Sequence, residues 1–223
     1  MLDKNWETIN GDIASNVEFL NYTNQINVLN GLLLFLLAHK GPNGNGAPPM
    51  PDEASLCELH HAGTLFLLSK PGHYRNIEVH LENEKGEITY KPPEWQHVDG
   101  LIKIFFRQLS SLWFVGDALD VASYALWNIN WVHPFRNGNG RTARAFAYAC
   151  LCLKLGVILP GKMTVIDLIM GSREKYEAAI RAADKSYKET KQPDLSMMKV
   201  FLNECLQAQM ASIETTDIPP NNS

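Results

Sequence analysis

The chain has no apolar run long enough to cross a bilayer: the longest, Gly31 to Ala38, is far below the roughly 20 residues a spanning helix needs. Its opening residues, Met1-Leu2-Asp3-Lys4, lack the basic-then-apolar order of a secretory leader. Cysteine is scarce, and no pair among Cys57, Cys150, Cys152 and Cys205 has the two-residue gap that gathers thiolates around one zinc ion. Buried thiols in a reducing compartment are the expectation instead. There is no basic excess: 20 Lys and Arg against 24 Asp and Glu give a net charge of -4, which offers no general attraction to nucleic acid or anionic lipid. These absences describe a cytoplasmic, soluble protein with no nucleic-acid or membrane partner. Internal repeats, low-complexity tracts and sustained heptads are lacking as well.

What is present is enough apolar material, 45% of 223 residues, for one buried core. Helical periodicity is expected over Leu20–Leu37, followed by a breaker-rich stretch from Gly41 to Pro51 read as a flexible surface loop. A second helix is expected over Glu53–Leu68, stopped by Lys70-Pro71-Gly72. Ile77, Val79 and Leu81 alternate with polar residues, and after a polar turn Ile88 and Tyr90 follow, so a β-hairpin is expected between Tyr74 and Tyr90. The remainder reads as helices over about Trp95–Leu112, Asp117–Trp131, Thr142–Leu155, Thr164–Lys185 and Asp194–Met210. Thr164 and Asp167 have the spacing of a capping pair. The fold class is therefore mainly α, a helical bundle carrying one short β-hairpin. The expected division is an N-terminal helical extension and loop over 1–51, a domain over 52–212 and a disordered tail over 213–223.

Chemistry concentrates in the twelve residues from His133 to Arg144, His-Pro-Phe-Arg-Asn-Gly-Asn-Gly-Arg-Thr-Ala-Arg, between two expected helices. Pro134 ends the first helix, and Gly138 and Gly140 let the backbone turn tightly and expose N–H groups. The next helix begins at once, so its unpaired N–H groups and positive dipole end make an anion site. Arg141 and Arg144 lie three apart on its opening turn, placed to address several oxygens of one polyphosphate. A histidine just upstream suits proton abstraction from a hydroxyl beside a bound phosphate. The bland alternative is a glycine-rich connector, with Phe135 in the core and both arginines solvated. His60-His61 are expected to be structural, because adjacent helical residues diverge and no third ligand is spaced to help. Trp113, Trp127 and Trp131 are expected to pack the core.

The string from His133 to Arg144 resembles the Fic family signature, H-x-F-x-(D/E)-G-N-G-R-x-x-R, and the likeness of layout runs from about Ser55 to Met210. Pro71-Gly72-His73-Tyr74-Arg75 resembles the lead-in to that family's flap, and Tyr90-Lys91-Pro92-Pro93 its exit. The resemblance implies a Fic-fold helical bundle with its flap at about 74–92 and its active-site loop at 133–144. It implies a protein adenylyltransferase in which His133 deprotonates a Ser, Thr or Tyr hydroxyl that attacks the α-phosphate of ATP and expels pyrophosphate. Gly138, Asn139 and Gly140 would hold phosphate oxygens, Arg144 the outer phosphates, and Arg141 either those or the motif itself. Phe135 would anchor the loop, and Tyr176 would lie near the adenine. The flap would dock an extended segment of the target protein.

One position departs from the signature: Asn137 stands where the family carries the Asp or Glu that helps bind Mg2+. An amide oxygen ligates a hard cation without contributing charge, so weaker use of Mg2+, or of Mn2+, is expected. Members of the family are often restrained by a helix bearing (S/T)-x-x-x-E-(G/N), and no segment here matches; Ser15-Asn16-Val17-Glu18 has the wrong spacing. Either a separate inhibitory protein supplies that helix or restraint takes another form. Two alternatives to AMP transfer stay open: a relative using another nucleotide or phosphate donor, and a nucleotide-binding regulatory protein with weak turnover because of Asn137.

Overall fold

The computed structural model describes residues 6–39, 46, 48–83 and 85–213. The expected tail from residue 214 onward and most of the glycine-rich loop before Pro48 lie outside them. Eight α-helices and one two-stranded antiparallel sheet are present among the described residues: α1 (Gly11–Ala38), α2 (Glu53–Thr64), β1 (Leu81–Glu82), β2 (Ile88–Tyr90), α3 (Val98–Val115), α4 (Ala118–Val132), α5 (Asn139–Leu155), α6 (Val165–Gly171), α7 (Arg173–Thr190) and α8 (Ser196–Ala211). None of these helices is long and apolar enough to cross a membrane.

The centre is the antiparallel pair α4–α5. Both helices are buried along most of their length, and alanines at 122, 125, 143, 145, 147 and 149 let neighbouring backbones approach closely. Around this pair pack α2 and α1 on the α5 side and α3, α7 and α8 on the α4 side. Trp127, Phe105, Phe135 and Phe146 are the largest side chains wholly enclosed. Asp117 with Asp120 and Thr164 with Asp167 form reciprocal capping boxes, which satisfy first-turn donors at the starts of α4 and α6. α5 starts differently. Its preceding residue, Gly138, is left-handed at φ 75°, and no side chain caps the helix.

The elements depart from expectation where tertiary contacts outweigh local pattern. α1 begins at Gly11 rather than Leu20; the large apolar residues of its inward stripe, Leu29 and Leu33, lie only in its second half, with Ala14 near its start. In the first half that stripe is Glu18, Asn21 and Gln25, held by hydrogen bonds rather than by apolar burial. Asn21 Nδ2 donates to the Leu65 carbonyl at 2.7 Å, Asn24 Nδ2 to that of Ala62 at 3.3 Å and Gln25 Nε2 to that of Leu59 at 2.8 Å, so α1 closes the carbonyl end of α2. The Glu18 carboxylate, only 4% exposed, pairs with the guanidinium of Arg141 on α5. α2 stops at Thr64 rather than running to Leu68: Phe66 is left-handed at φ 63°, and Leu67 and Leu68 turn away to pack with Trp6 and Ala14. The single helix expected over Thr164–Lys185 is broken at Ser172 into α6 and α7.

The hairpin is smaller than its alternation suggests. Leu81 pairs with Tyr90 and Glu82 with Ile88, while residues 77–80 stay outside the sheet. Ile77, Leu81 and Ile88 are exposed, so the apolar beat here marks no core-facing side. The turn is organised by Asn83, whose Oδ1 accepts from the N–H groups of Lys85 and Glu87, and by Gly86 at φ 76°.

Removing one partner of a buried ion pair strands the other. Glu18→Ala is therefore expected to destabilise the protein by about 3 kcal/mol, measured as the fall in unfolding free energy in urea. A loss below about 1 kcal/mol would show that α1 does not depend on this contact.

Candidate active site

The site is built on the turn from α4 to α5. Val132 is the last helical residue, and His133 follows in the left-handed region at φ 51°, ψ 58°, its N–H donating to the Ile129 carbonyl at 3.0 Å. Pro134 brings no donor. The carbonyls left over at this helix end are collected by Arg75, which is 2% exposed. Its Nε donates to the His133 carbonyl at 2.8 Å, and Nη2 reaches those of Pro93 at 2.5 Å and Val132 at 3.4 Å. The backbone N–H of Arg75 donates to the Pro134 carbonyl at 2.8 Å. One guanidinium thus joins the end of α4 to the strand leaving the hairpin.

The middle of the turn is anchored by Phe135, wholly buried and stacked on the His60 ring at 3.7 Å between centroids and 5° between planes. Asn139 clamps the Phe135 peptide from both sides: its Oδ1 accepts from Phe135 N at 2.8 Å and its Nδ2 donates to Phe135 O at 2.9 Å. His60 holds two further pieces of backbone. Its Nδ1 accepts from the Gly72 N–H at 2.8 Å, so the ring proton sits on Nε2, which donates to the Asn137 carbonyl at 2.9 Å. Gly138 has no room for a side chain, since a Cβ there would lie 2.5 Å from Thr64 Cγ2.

The His133 ring is 92% shielded, and its Nδ1 lies 3.3 Å from the Asn130 carbonyl. A carbonyl only accepts, so Nδ1 carries the proton and Nε2 keeps its lone pair. Burial pushes the imidazole pKa down to about 4; the Asn130 bond opposes this, and the charge of Arg75 adds to it. At neutral pH the ring is a neutral base with Nε2 as its basic atom.

The other candidate residues divide by where their side chains go. The Asn139 side chain turns inward onto the Phe135 peptide, so it does not cap the start of α5, whose first backbone N–H groups have no side-chain partner among the described residues. Arg144 lies beside this end, its Nη1 3.3 Å from where a Gly140 Cβ would stand, and it hydrogen-bonds the Tyr176 hydroxyl. Tyr176 is 8% exposed, stacked on Phe201, and also accepts from Asn130 Nδ2 at 2.9 Å, so it supports Arg144 from behind. Arg141 is directed to Glu18, to the Gly63 carbonyl at 2.9 Å and over the Trp6 ring at 5.1 Å. Asn137 Oδ1 accepts from the N–H of Gly138 at 2.7 Å. No group of three His, Cys, Asp or Glu side chains arranged for a metal occurs among the described residues.

Sequence reasoning did not single out Arg75 or Glu18 and left His60 as merely structural. Arg75 stands inside the quoted Pro71–Arg75 segment, but nothing local signals that its fork is buried.

The turn thus brings a neutral buried histidine beside an uncapped, arginine-flanked helix N-terminus in a helical domain. Comparison with known proteins gives its kinship. Residues 51–151, just under half of the chain, match the model of the Fic/DOC family. Among solved structures it is similar to a Fic domain containing signaling protein from Bacteroides thetaiotaomicron, at 15% identity and TM-score 0.59, over 85% of this chain and 69% of that one. It is also similar to Fic-1 (134–508) from C. elegans, at 20% identity and TM-score 0.59, over 87% of this chain but only 49% of that one. BepC, a VirB-translocated effector of Bartonella tribocorum solved with bound AMPPNP, aligns at 16% identity and TM-score 0.53, over 92% of this chain and 94% of that one. No curated protein matches the sequence. At these identities the likeness establishes the fold.

Both buried histidines bear on stability. His60 is held down to about 3, chiefly by burial, as His133 is held to about 4. Their folded pKa values lie below the ordinary 6.5, so the unfolded chain takes up protons first and stability falls as pH drops below 6.5, until each folded pKa is reached. Between about pH 6 and pH 5 the pair is expected to cost about 2 kcal/mol, read from urea unfolding. A flat profile over that interval would contradict the neutral, buried state of these rings.

Proposed function

We propose that this protein transfers AMP from ATP to a Ser, Thr or Tyr hydroxyl of a target protein and releases pyrophosphate. The observation that carries the reading is the His133 tautomer, with Nε2 unprotonated, on the same turn as the uncapped N-terminus of α5. Nε2 takes the proton of the acceptor hydroxyl as its oxygen bonds to the α-phosphorus, and the bond to the β-phosphate oxygen breaks, so pyrophosphate leaves. Backbone N–H groups from Asn139 to Arg141 and the Arg144 guanidinium hold the phosphate charge. The AMPPNP bound to BepC supports a nucleotide as donor.

The exposed hairpin, with Ile77, Leu81 and Ile88 outward, offers an edge to an extended segment of the target. Arg141 serves the scaffold in this account, through Glu18 and Gly63, and Tyr176 serves by holding Arg144. The donor set on this chain does not fit a metal site of its own: Asn137 offers a neutral oxygen that already accepts from Gly138. A divalent cation, Mg2+ or Mn2+, would come coordinated by the triphosphate. The protein works in the cytoplasm in this reading, where its four cysteines, all free, stay reduced.

Asn137 favours a second reading, a nucleotide-binding regulatory protein with weak turnover. Label transfer from α-phosphate-labelled ATP to protein separates the two. Wild type is expected to label a target or itself, and His133→Ala to label about a hundredfold or more slowly while still binding ATP. If neither labels while both bind ATP, and Asn137→Asp restores transfer, the second reading replaces the first.

A further inference from the structure

One cavity of the molecule contains none of the residues from His133 to Arg144. It is a groove of about 730 Å³ whose floor is one face of α4, from Asp120 to Trp131. One wall is the stripe Leu101, Ile104, Gln108 and Leu112 of α3, and the other is formed by Tyr187 and the connection from α7 to α8. Its volume lies within the roughly 300–1,000 Å³ of small-molecule sites.

The chemistry of the lining narrows the occupant. Trp127 and Trp131 stack at 5.9 Å and 24°, and Tyr187 stands edge-on to Trp131 at 4.7 Å, so aromatic surface dominates the deep end. The Trp127 Nε1–H is spent on Asp184 at 2.8 Å and the Tyr124 hydroxyl on Gln108 Oε1 at 2.5 Å. Of the two lysines in the lining, Lys199 is neutralised at the rim by Asp117 at 2.8 Å and Asp120 at 2.6 Å, and Lys191 is exposed at the outer edge, so no unpaired charge lies at the aromatic end. Two lining residues retain unused capacity: Asn128 Oδ1 and Ser123 Oγ are buried and have no hydrogen-bond partner among the described residues. A buried carboxamide oxygen in that condition asks for an N–H or O–H donor.

We propose that this groove is a second ligand site, separate from the His133 turn, for a neutral, planar aromatic molecule carrying at least one hydrogen-bond donor. The rings enclose its apolar body, and Asn128 selects the donor. The site lies on the same helix as His133, and the carbonyl of Trp131, which lines it, accepts from the hydroxyl of Tyr90 in the hairpin at 2.5 Å.

The test compares 2-naphthol with its methyl ether, which has the same rings and no donor, by calorimetry and by the tryptophan Nε1–H signals in NMR spectra. Wild type is expected to bind 2-naphthol saturably and about tenfold or more tightly than the ether, with shifts at Trp127 and Trp131. Asn128→Leu is expected to bring the two affinities within about twofold. Gln108→Trp, at an exposed position on the rim, is expected to block both compounds. Absence of saturable binding to wild type, equal affinity for the two compounds, or binding that survives Gln108→Trp would each overturn the proposal.

Discussion

A helix that ends in the interior leaves its last carbonyls without donors, and α4 ends there by turning through a left-handed histidine followed by a proline. The Arg75 guanidinium supplies the missing donors, bonding the carbonyls of Val132 and His133 together with that of Pro93 across the hairpin exit. A lysine, with all its donors on one nitrogen, lacks the planar fork that reaches these separate carbonyls. Because that turn also carries Phe135 into the core and sets where α5 begins, the position of the base and of the helix N-terminus follows from this one buried side chain and its acceptors. The hairpin exit is tied in by the same group, so the hairpin and the turn carrying His133 share one anchor.

The second support comes from the other side. His60 and Asn139 fix the backbone of Phe135 and Asn137 with every available ring and amide atom committed, which leaves Gly138 no space and no alternative conformation. Glu18 then holds Arg141 against α1, so the two arginines of the motif have separate duties: one packs the scaffold, and the other stands at the start of α5. The price of this arrangement is a pair of histidines kept neutral by burial, which makes the fold sensitive to mild acid.

The turn was legible in the sequence because its parts are contiguous: twelve residues contain the base, the glycines and both arginines. Its supports were not, because they act over 58 residues for Arg75 on His133, 77 for His60 on Asn137 and 123 for Glu18 on Arg141. Helix order followed from periodicity, but the count did not: seven helices were expected and eight occur among the described residues, because the one expected over Thr164–Lys185 breaks at Ser172. The first half of α1 has a polar inward stripe, so its buried face was read as no face, and Ile77–Leu81 alternates without burying anything. Leu67 and Leu68 continued an apparent helix but belong to a satellite cluster with Trp6. The dependence of the motif on α1 was not legible, because it runs through the single pair Glu18–Arg141.

The central claim is that the scaffold presents His133 as a neutral base with its proton on Nδ1. Long-range 1H–15N NMR correlations of the histidine rings at neutral pH test it directly. The account predicts a protonated Nδ1 and an unprotonated Nε2 for His133, with the opposite tautomer for His60. A doubly protonated His133 ring, or one with its proton on Nε2, would contradict it.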